Sequence, residues 1–365
     1  MKIAEVINYL ETIAPSSLQE TYDNAGLITG SANWECTGAI CTLDATEDVV
    51  KEAIEKNCNL IVAHHPIIFS GLKKITGKNY VEKTIIAAIK NDIAIYAIHT
   101  NLDNVLHGVN AKIADKLGLI NRKILSPKAG ILKKLYTYIP IEFADKVRDA
   151  IFTAGGGAIG NYLECSFVAE GIGSFNATEG TNPWVGIIGE RHYKKEKKLE
   201  VIFETHKQNQ VLNALIKNHP YEEVAYEIIG LDNVNQTVGS GLVGELENEA
   251  LEEDFLELLK KQFGLKMIKH TPFLGKKAKK IAICGGSGSF LTKAAIAAGA
   301  HFYVTADVKY HEFFDAENKL VLADIGHWES EQFTIELLAE VLQQKFPTFA
   351  VLKTAVKTNP VQYWS

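Results

Sequence analysis

The chain spells out one pattern twice, and that repetition constrains its fold more than any other feature. From residue 38, short apolar runs alternate with amphipathic stretches: GAICTL, a helix over about 46–57, NLIVAHHP, a helix over about 79–90, IAIYAIHTNLD, and a helix near 109–117. After residue 238 the pattern returns with a helix over about 251–263, KKIAICGGSGS, a helix over about 289–298, HFYVTAD, KLVLADIGH and a helix over about 328–344. Strand, helix, strand is the grammar of an α/β layer. The expected fold class is therefore α/β, with two related α/β lobes over 1–128 and 238–365.

The middle, residues 129–237, reads differently. KLYTYIP, a helix over about 143–153, a glycine-rich GGGAIG turn, the strand-like CSFVAEGIGSFNA, KLEVIFET, a helix over about 208–217 and VAYEIIGL follow one another. This β-α-β-β-α-β order is that of a ferredoxin-like α+β domain, a compact unit in its own right. An inserted domain is the simplest account, and limiting access to a cavity is its plainest role.

Composition excludes several function classes. At 365 residues, with 47% hydrophobic and 22% charged, the chain is an ordinary globular protein of two or three domains. Its 38 basic and 44 acidic residues leave a net charge of −6, so no global field draws nucleic acid or anionic lipid. The basic runs Arg191–Lys198 and Lys276–Lys280 are expected to be solvated, the first on a hairpin between two middle-domain strands. Five cysteines, Cys36, Cys41, Cys58, Cys165 and Cys284, without a C-x-x-C pair suggest neither disulfides nor a thiolate zinc site. Ile3, Val6, Ile7, Leu10 and Ile13 make an amphipathic core helix, unlike a signal peptide. No apolar stretch approaches the roughly 18 residues of a membrane span. A cytoplasmic location is expected.

Polar residues gather where the apolar runs end. LIVA gives way to His64-His65-Pro66, IYAI to His99-Thr100-Asn101-Leu102-Asp103, FYVT to Ala306-Asp307, and VLADIG to His327. In open α/β sheets the carboxyl ends of strands line the ligand crevice, so these clusters can converge. Imidazoles and carboxylates without thiolates suit zinc, manganese, iron or nickel. His327 and Glu331 stand four apart on one helix face. His64 and His65, adjacent on an extended chain, point to opposite sides and more naturally serve two ions than one. With Asp103 they make five ligands for two metals, which leaves positions open, as a catalytic site requires. Taken singly, a His-His turn or a surface His-x-x-x-Glu pair is commonplace; three groups at equivalent strand ends are not.

These residues, with Tyr22-Asp23-Asn24-Ala25-Gly26-Leu27, Thr305 to His311 and Gly326-His327-Trp328-Glu329-Ser330-Glu331, resemble the Nif-three-like dinuclear metal-centre hexameric proteins. Many members of that family are labelled GTP cyclohydrolase I type 2 homologues. The resemblance covers both end segments in order. The middle segment is similar to the PII- and CutA-like insertion of longer bacterial members, with His219-Pro220-Tyr221-Glu222-Glu223 its most recognisable stretch. The resemblance implies two divalent ions per subunit on His64, His65, Asp103, His327 and Glu331, with Glu331 bridging. It also implies a toroidal homohexamer whose metal sites face an internal cavity.

Two divalent ions bring about +4 and two carboxylates return about −2, so the site would attract anions, phosphates first. Paired ions supply hydroxide near neutral pH and stabilise attacking and leaving oxygens, which makes hydrolysis of a phosphorylated or nucleotide-like small molecule the natural reaction class. Ring opening of GTP is a narrower expectation, for which His99 and His311 are candidate proton donors. The alternative is a non-catalytic regulatory or scaffold hexamer. Gly285-Gly286-Ser287-Gly288-Ser289 fits neither the dinucleotide nor the P-loop pattern, and close packing of helix on strand is its expected use.

Overall fold

The computed structural model describes residues 1–364 and has a mixed α/β architecture. The chain divides into two compact units, Met1–Ser126 together with Thr237–Ser365, and Pro127–Gln236.

The first unit holds two sheets. One has five strands in the order Gly26–Thr29, Ala94–Ala97, Leu60–His65, Ala39–Asp44, Val351–Lys353, parallel except for the antiparallel first pair. The other has six, in the order Lys269–His270, Val321–Asp324, Phe302–Ala306, Ala278–Ser287, Asn235–Ala250, Ile120–Lys128. Its middle strands, Ala278–Ser287, Phe302–Ala306 and Val321–Asp324, are parallel. The two halves of the sequence complete each other's sheets: Val351–Lys353 pairs with Ala39–Asp44, and Ile120–Lys128 lies in the sheet of the C-terminal half.

Strand alternation explains why these runs are apolar throughout. In Leu60–His65, Leu60 and Val62 enter one core while Ile61 and Ala63 enter another. Ile281 and Phe302 likewise face the first core, and Ala282 and Tyr303 turn to a third. The first core is shared by both sheets and by the helices Ile3–Ile13, Glu252–Phe263 and Thr334–Lys345, which contribute Leu10, Phe255 and Leu342. Parallel pairing brings the carboxyl ends of the strands together, and the clustered polar residues sit there.

The second unit is an antiparallel sheet in the order Phe167–Asn176, Arg191–Glu204, Leu132–Pro140, Tyr226–Leu231. The helices Ala144–Thr153 and Gln208–Asn218 cover one face through Val147, Ile151, Val211 and Leu215.

Some elements differ from the sequence reading. The basic run Arg191–Lys198 is not a loop but the first half of the strand Arg191–Glu204, where Lys194 bonds Glu142 (2.7 Å) and Lys198 bonds Glu200 (3.1 Å). The helix expected over 328–344 is broken into His327–Glu331 and Thr334–Lys345, with Phe333 at the break packing edge-on against Phe263. The long strand Asn235–Ala250 has no counterpart in the reading, because its glycines and acidic tail mask the apolar alternation. No helix among the described residues is long and apolar enough to cross a membrane.

Candidate metal centre

His64 and His65 end the strand Leu60–His65 and extend its alternation, so they leave the strand on opposite sides. Asp103 closes the one-turn helix Thr100–Asp103, and His327 and Glu331 bound the short helix His327–Glu331. All five converge. Two ligand groups emerge, His64 with Asp103 and Glu331, and His65 with His327 and Glu331, in each of which the donor atoms lie within 4.8 Å of one another.

Glu331 joins the groups through its two oxygens. Oε1 lies 3.9 Å from His64 Nε2, while Oε2 lies 3.0 Å from His65 Nε2 and 3.1 Å from His327 Nε2. A third group, His64, His65 and His99, borders the first two.

Each imidazole is oriented through its other nitrogen. His64 Nδ1 meets the Ile98 carbonyl (2.9 Å), His65 Nδ1 meets Asp44 (2.8 Å), His99 Nδ1 meets Asp23 (2.8 Å) and His327 Nδ1 meets Asp307 (2.7 Å). A carboxylate or carbonyl behind each ring fixes the tautomer and leaves Nε2 as the donor to a cation. Asp23 is held in turn by the backbone N–H and hydroxyl of Thr100, and Asp44 accepts from Thr358 (2.6 Å). Asp307 takes a left-handed backbone, φ +54°, to reach His327. Such strain is tolerated where the surroundings over-determine it.

Two observations fit this donor set to a divalent cation. His64 Nε2 and Asp103 Oδ1 are buried and have no hydrogen-bond partner among the described residues, although only 3.6 Å separates them. Leaving each unpaired costs about 1–3 kcal/mol, a cost that a shared cation would offset. His65 Nε2 and His327 Nε2 also approach within 3.4 Å, a distance suited to two nitrogens facing one electrophile.

The electrostatics of the metal-free cluster point the same way. Burial raises the Asp103 carboxyl above its ordinary value, and the Glu331 charge adds to this. Burial opposes ionisation of Glu331 too, but the surrounding rings, His327 foremost, hold it well below the usual carboxylate range. Burial pulls His65 down, yet its bonds to Asp44 and Glu331 outweigh that and hold it at about 10. The same balance, with Glu331 and Asp307 as partners, places His327 at about 9. Without a metal, His65 and His327 hold protons beside these carboxylates.

The glycine-rich turn makes room for this arrangement. A side chain on Gly286, φ +63°, would place its first carbon 2.3 Å from Glu331 Oε1, and one on Gly285 would meet Glu331 Cγ at 3.2 Å. The Gly286 N–H also donates to Ser330 (2.9 Å), next to Glu331. The turn packs against a candidate ligand, Glu331.

Of the remaining expected residues, His99 joins the cluster and His311 does not. His311 is exposed on the segment Tyr310–Ala316, against the rings of Tyr310 and Phe314. Sequence reasoning missed Asp44 behind His65, although Asp44 ends its strand as the other clusters end theirs. It also missed Asn110, which donates to the Asp103 carbonyl (3.2 Å) and accepts from the Gly285 N–H (3.0 Å), joining both halves of the sequence. Beside the cluster opens a cavity of about 680 Å³ whose lining includes Tyr22, Phe69, Lys269, Trp328 and Tyr363.

Comparison with known proteins gives concordant results. A family model described as Duf34/NIF3 (NGG1p interacting factor 3) matches residues 1–360. The chain is 38% identical over 371 residues to a protein of Halalkalibacterium halodurans named GTP cyclohydrolase 1 type 2 homolog, covering 100% of both. It is 36% identical over 365 residues to the Bacillus subtilis protein of the same name, covering 98% of each. Among solved structures, the Bacillus cereus protein related to NIF3 superposes with a TM-score of 0.87 at 36% identity, covering 100% of this chain and 99% of that one.

Proposed function

The chain belongs to the Duf34/NIF3 family, and from that premise we propose that it is a dinuclear metal-dependent hydrolase acting on a phosphorylated or nucleotide-like small molecule. The carrying observation is the pair of ligand groups hinged on Glu331 beside an aromatic-lined cavity. His64, Asp103 and Glu331 would hold one divalent ion, and His65, His327 and Glu331 the other. Such a pair supplies a water activated near neutral pH and charge compensation for the oxygens of the bond being broken.

The protein's own groups do the rest. Asp23, held at about 2 by hydrogen bonds from His99 and Thr100 against the effect of burial, stays ionised and keeps His99 turned toward the cluster. His99 can therefore hand a proton to a leaving group or take one from water. Tyr22, Phe69 and Trp328 offer flat apolar surface to a base or ring, and the GTP-type activity in the relatives' printed names is one member of that substrate class. The chain is proposed to work as a homohexamer in the cytoplasm.

The test compares the metal-loaded protein with its Asp103→Ala variant on a panel of phosphate esters and nucleotides. At least one substrate is expected to be turned over by the parent and to lose roughly 10²-fold or more in the variant. Identical rates on every substrate overturn the hydrolase reading.

A pH dependence follows from the protons held by the metal-free site. With His65 at about 10 and His327 at about 9, both rings are protonated at pH 7, and a cation must displace those protons. Zinc binding at pH 7 is expected to release roughly two protons per chain, and affinity to rise with pH until those values are passed. Calorimetry in two buffers of different ionisation heat measures the release. In the metal-free protein the raised His65 stabilises the fold fully below about pH 6.5, and this contribution fades as pH rises through about 10.

A further inference from the structure

The second unit contains a cavity of its own, about 660 Å³, on the sheet face opposite its two helices. Strand alternation places Leu199, Val201 and Phe203 under the helices and turns Glu196 and Lys198 to the other face. There Glu196 is only 8% exposed, an unusual burial for a carboxylate. The Tyr221 hydroxyl donates to it (2.7 Å), and among the described residues no basic side chain forms an ion pair with it. The nearby lysines pair with other carboxylates, Lys194 with Glu142 and Lys198 with Glu200, and Lys194 Nζ also lies 5.0 Å over the Trp184 ring, which shows that this ring accepts an ammonium.

Aromatic rings surround this carboxylate. Tyr221 lies 5.9 Å from Phe175 and 6.2 Å from Trp184 between ring centroids. The roof is tied down, since the Asn182 N–H donates to Glu222 (2.9 Å) and the Gly189 N–H to the Ala177 carbonyl (2.8 Å). The His219-Pro220-Tyr221 turn is fixed by His219, which donates to the Tyr138 carbonyl (3.0 Å) and accepts from the Tyr221 N–H (3.1 Å). The floor is left open by glycine: a side chain on Gly173 would meet Glu196 Oε2 at 2.0 Å. Glu170, Glu196, Glu222 and Glu223 line the cavity against the one ammonium of Lys198.

We propose that this aromatic-walled cavity, with Glu196 at its base, binds a small organic ammonium ion. Ring faces attract a cation through their quadrupoles, and a carboxylate beside them adds electrostatic attraction. A bare metal ion fits poorly, because no three of the cavity's carboxylates, among the described residues, bring their oxygens within reach of one centre. The site is separate from the metal centre and does not depend on the hydrolase reading.

The test titrates the full chain with choline, and with its uncharged carbon isostere dimethylbutanol, by calorimetry. Choline is expected to saturate one site per chain, and the isostere to bind at least about tenfold more weakly. Glu196→Gln keeps a partner for Tyr221 while removing the charge, and is expected to weaken choline about tenfold. Trp184→Leu, at a 43% exposed roof position where the fold is not at stake, should weaken it severalfold. Equal binding of choline and isostere, unchanged affinity in both variants, or no binding of choline to the parent chain would each overturn the proposal.

Discussion

Replacing Glu331 with glutamine is expected to empty both halves of the metal centre at once, taking bound metal from about two ions per chain to near none. The reason is geometric. Oε1 faces His64 and Oε2 faces His65 and His327, so one carboxylate completes both ligand groups. Glutamine keeps the size but presents an amide in place of one oxygen and removes the charge that offsets the cations. His64→Ala should behave differently, since His65, His327 and Glu331 remain as a group. About one ion is expected to survive there, and the His64→Ala, His65→Ala double variant should lose both. Metal analysis of the purified variants distinguishes these outcomes, and equal losses in the Glu331 and His64 single variants would remove the bridging role. Size measurement on the same samples separates the two readings of the site. A hydrolase should keep its assembly when Glu331 becomes Gln and lose turnover, whereas a metal-dependent scaffold should fall apart.

How much of this centre was legible in the sequence follows from how local each signal is. His64 and His65 are readable because a strand's end and its alternation are set by six consecutive residues, Leu60–His65. His327 and Glu331 are readable because four residues make one helical turn, and the break after Glu331 leaves that turn intact. Asp44 is less visible, because its place behind His65 depends on the parallel pairing of Ala39–Asp44 with Leu60–His65. Asn110 is hidden altogether, since its partners Asp103 and Gly285 lie far apart in sequence. Closeness in sequence also misled. His311 stands four residues after Asp307, yet the tight turns of Tyr310–Ala316 leave it exposed among aromatic rings while Asp307 reaches His327. The fold divides in the same way: buried parallel strands announce themselves as apolar runs, whereas the glycine-broken Asn235–Ala250 forms only because neighbours on both sides supply its ladder.

Gly286→Ala is expected to disable the centre without replacing any of its five ligand residues. Two effects combine at this residue. A left-handed backbone, φ +63°, costs a non-glycine residue about 1–2 kcal/mol. The new methyl carbon would also lie 2.3 Å from Glu331 Oε1, closer than any stable contact, and 3.3 Å from His327 Cε1. Glu331 is buried at 3% exposure and bonded on its other oxygen to two rings, so it has no free direction in which to retreat. Metal affinity should therefore fall on the order of 10–100-fold, the size seen when groups that position ligands are disturbed. Gly299→Ala is the matching control. Gly299 has a similar backbone, φ +70°, but a side chain there would meet nothing within 4 Å. It should lose comparable stability in a thermal or denaturant unfolding experiment and bind metal normally. If the two variants bind metal equally well, Gly286 serves only the turn, and the glycine-rich stretch has no part in shaping the site.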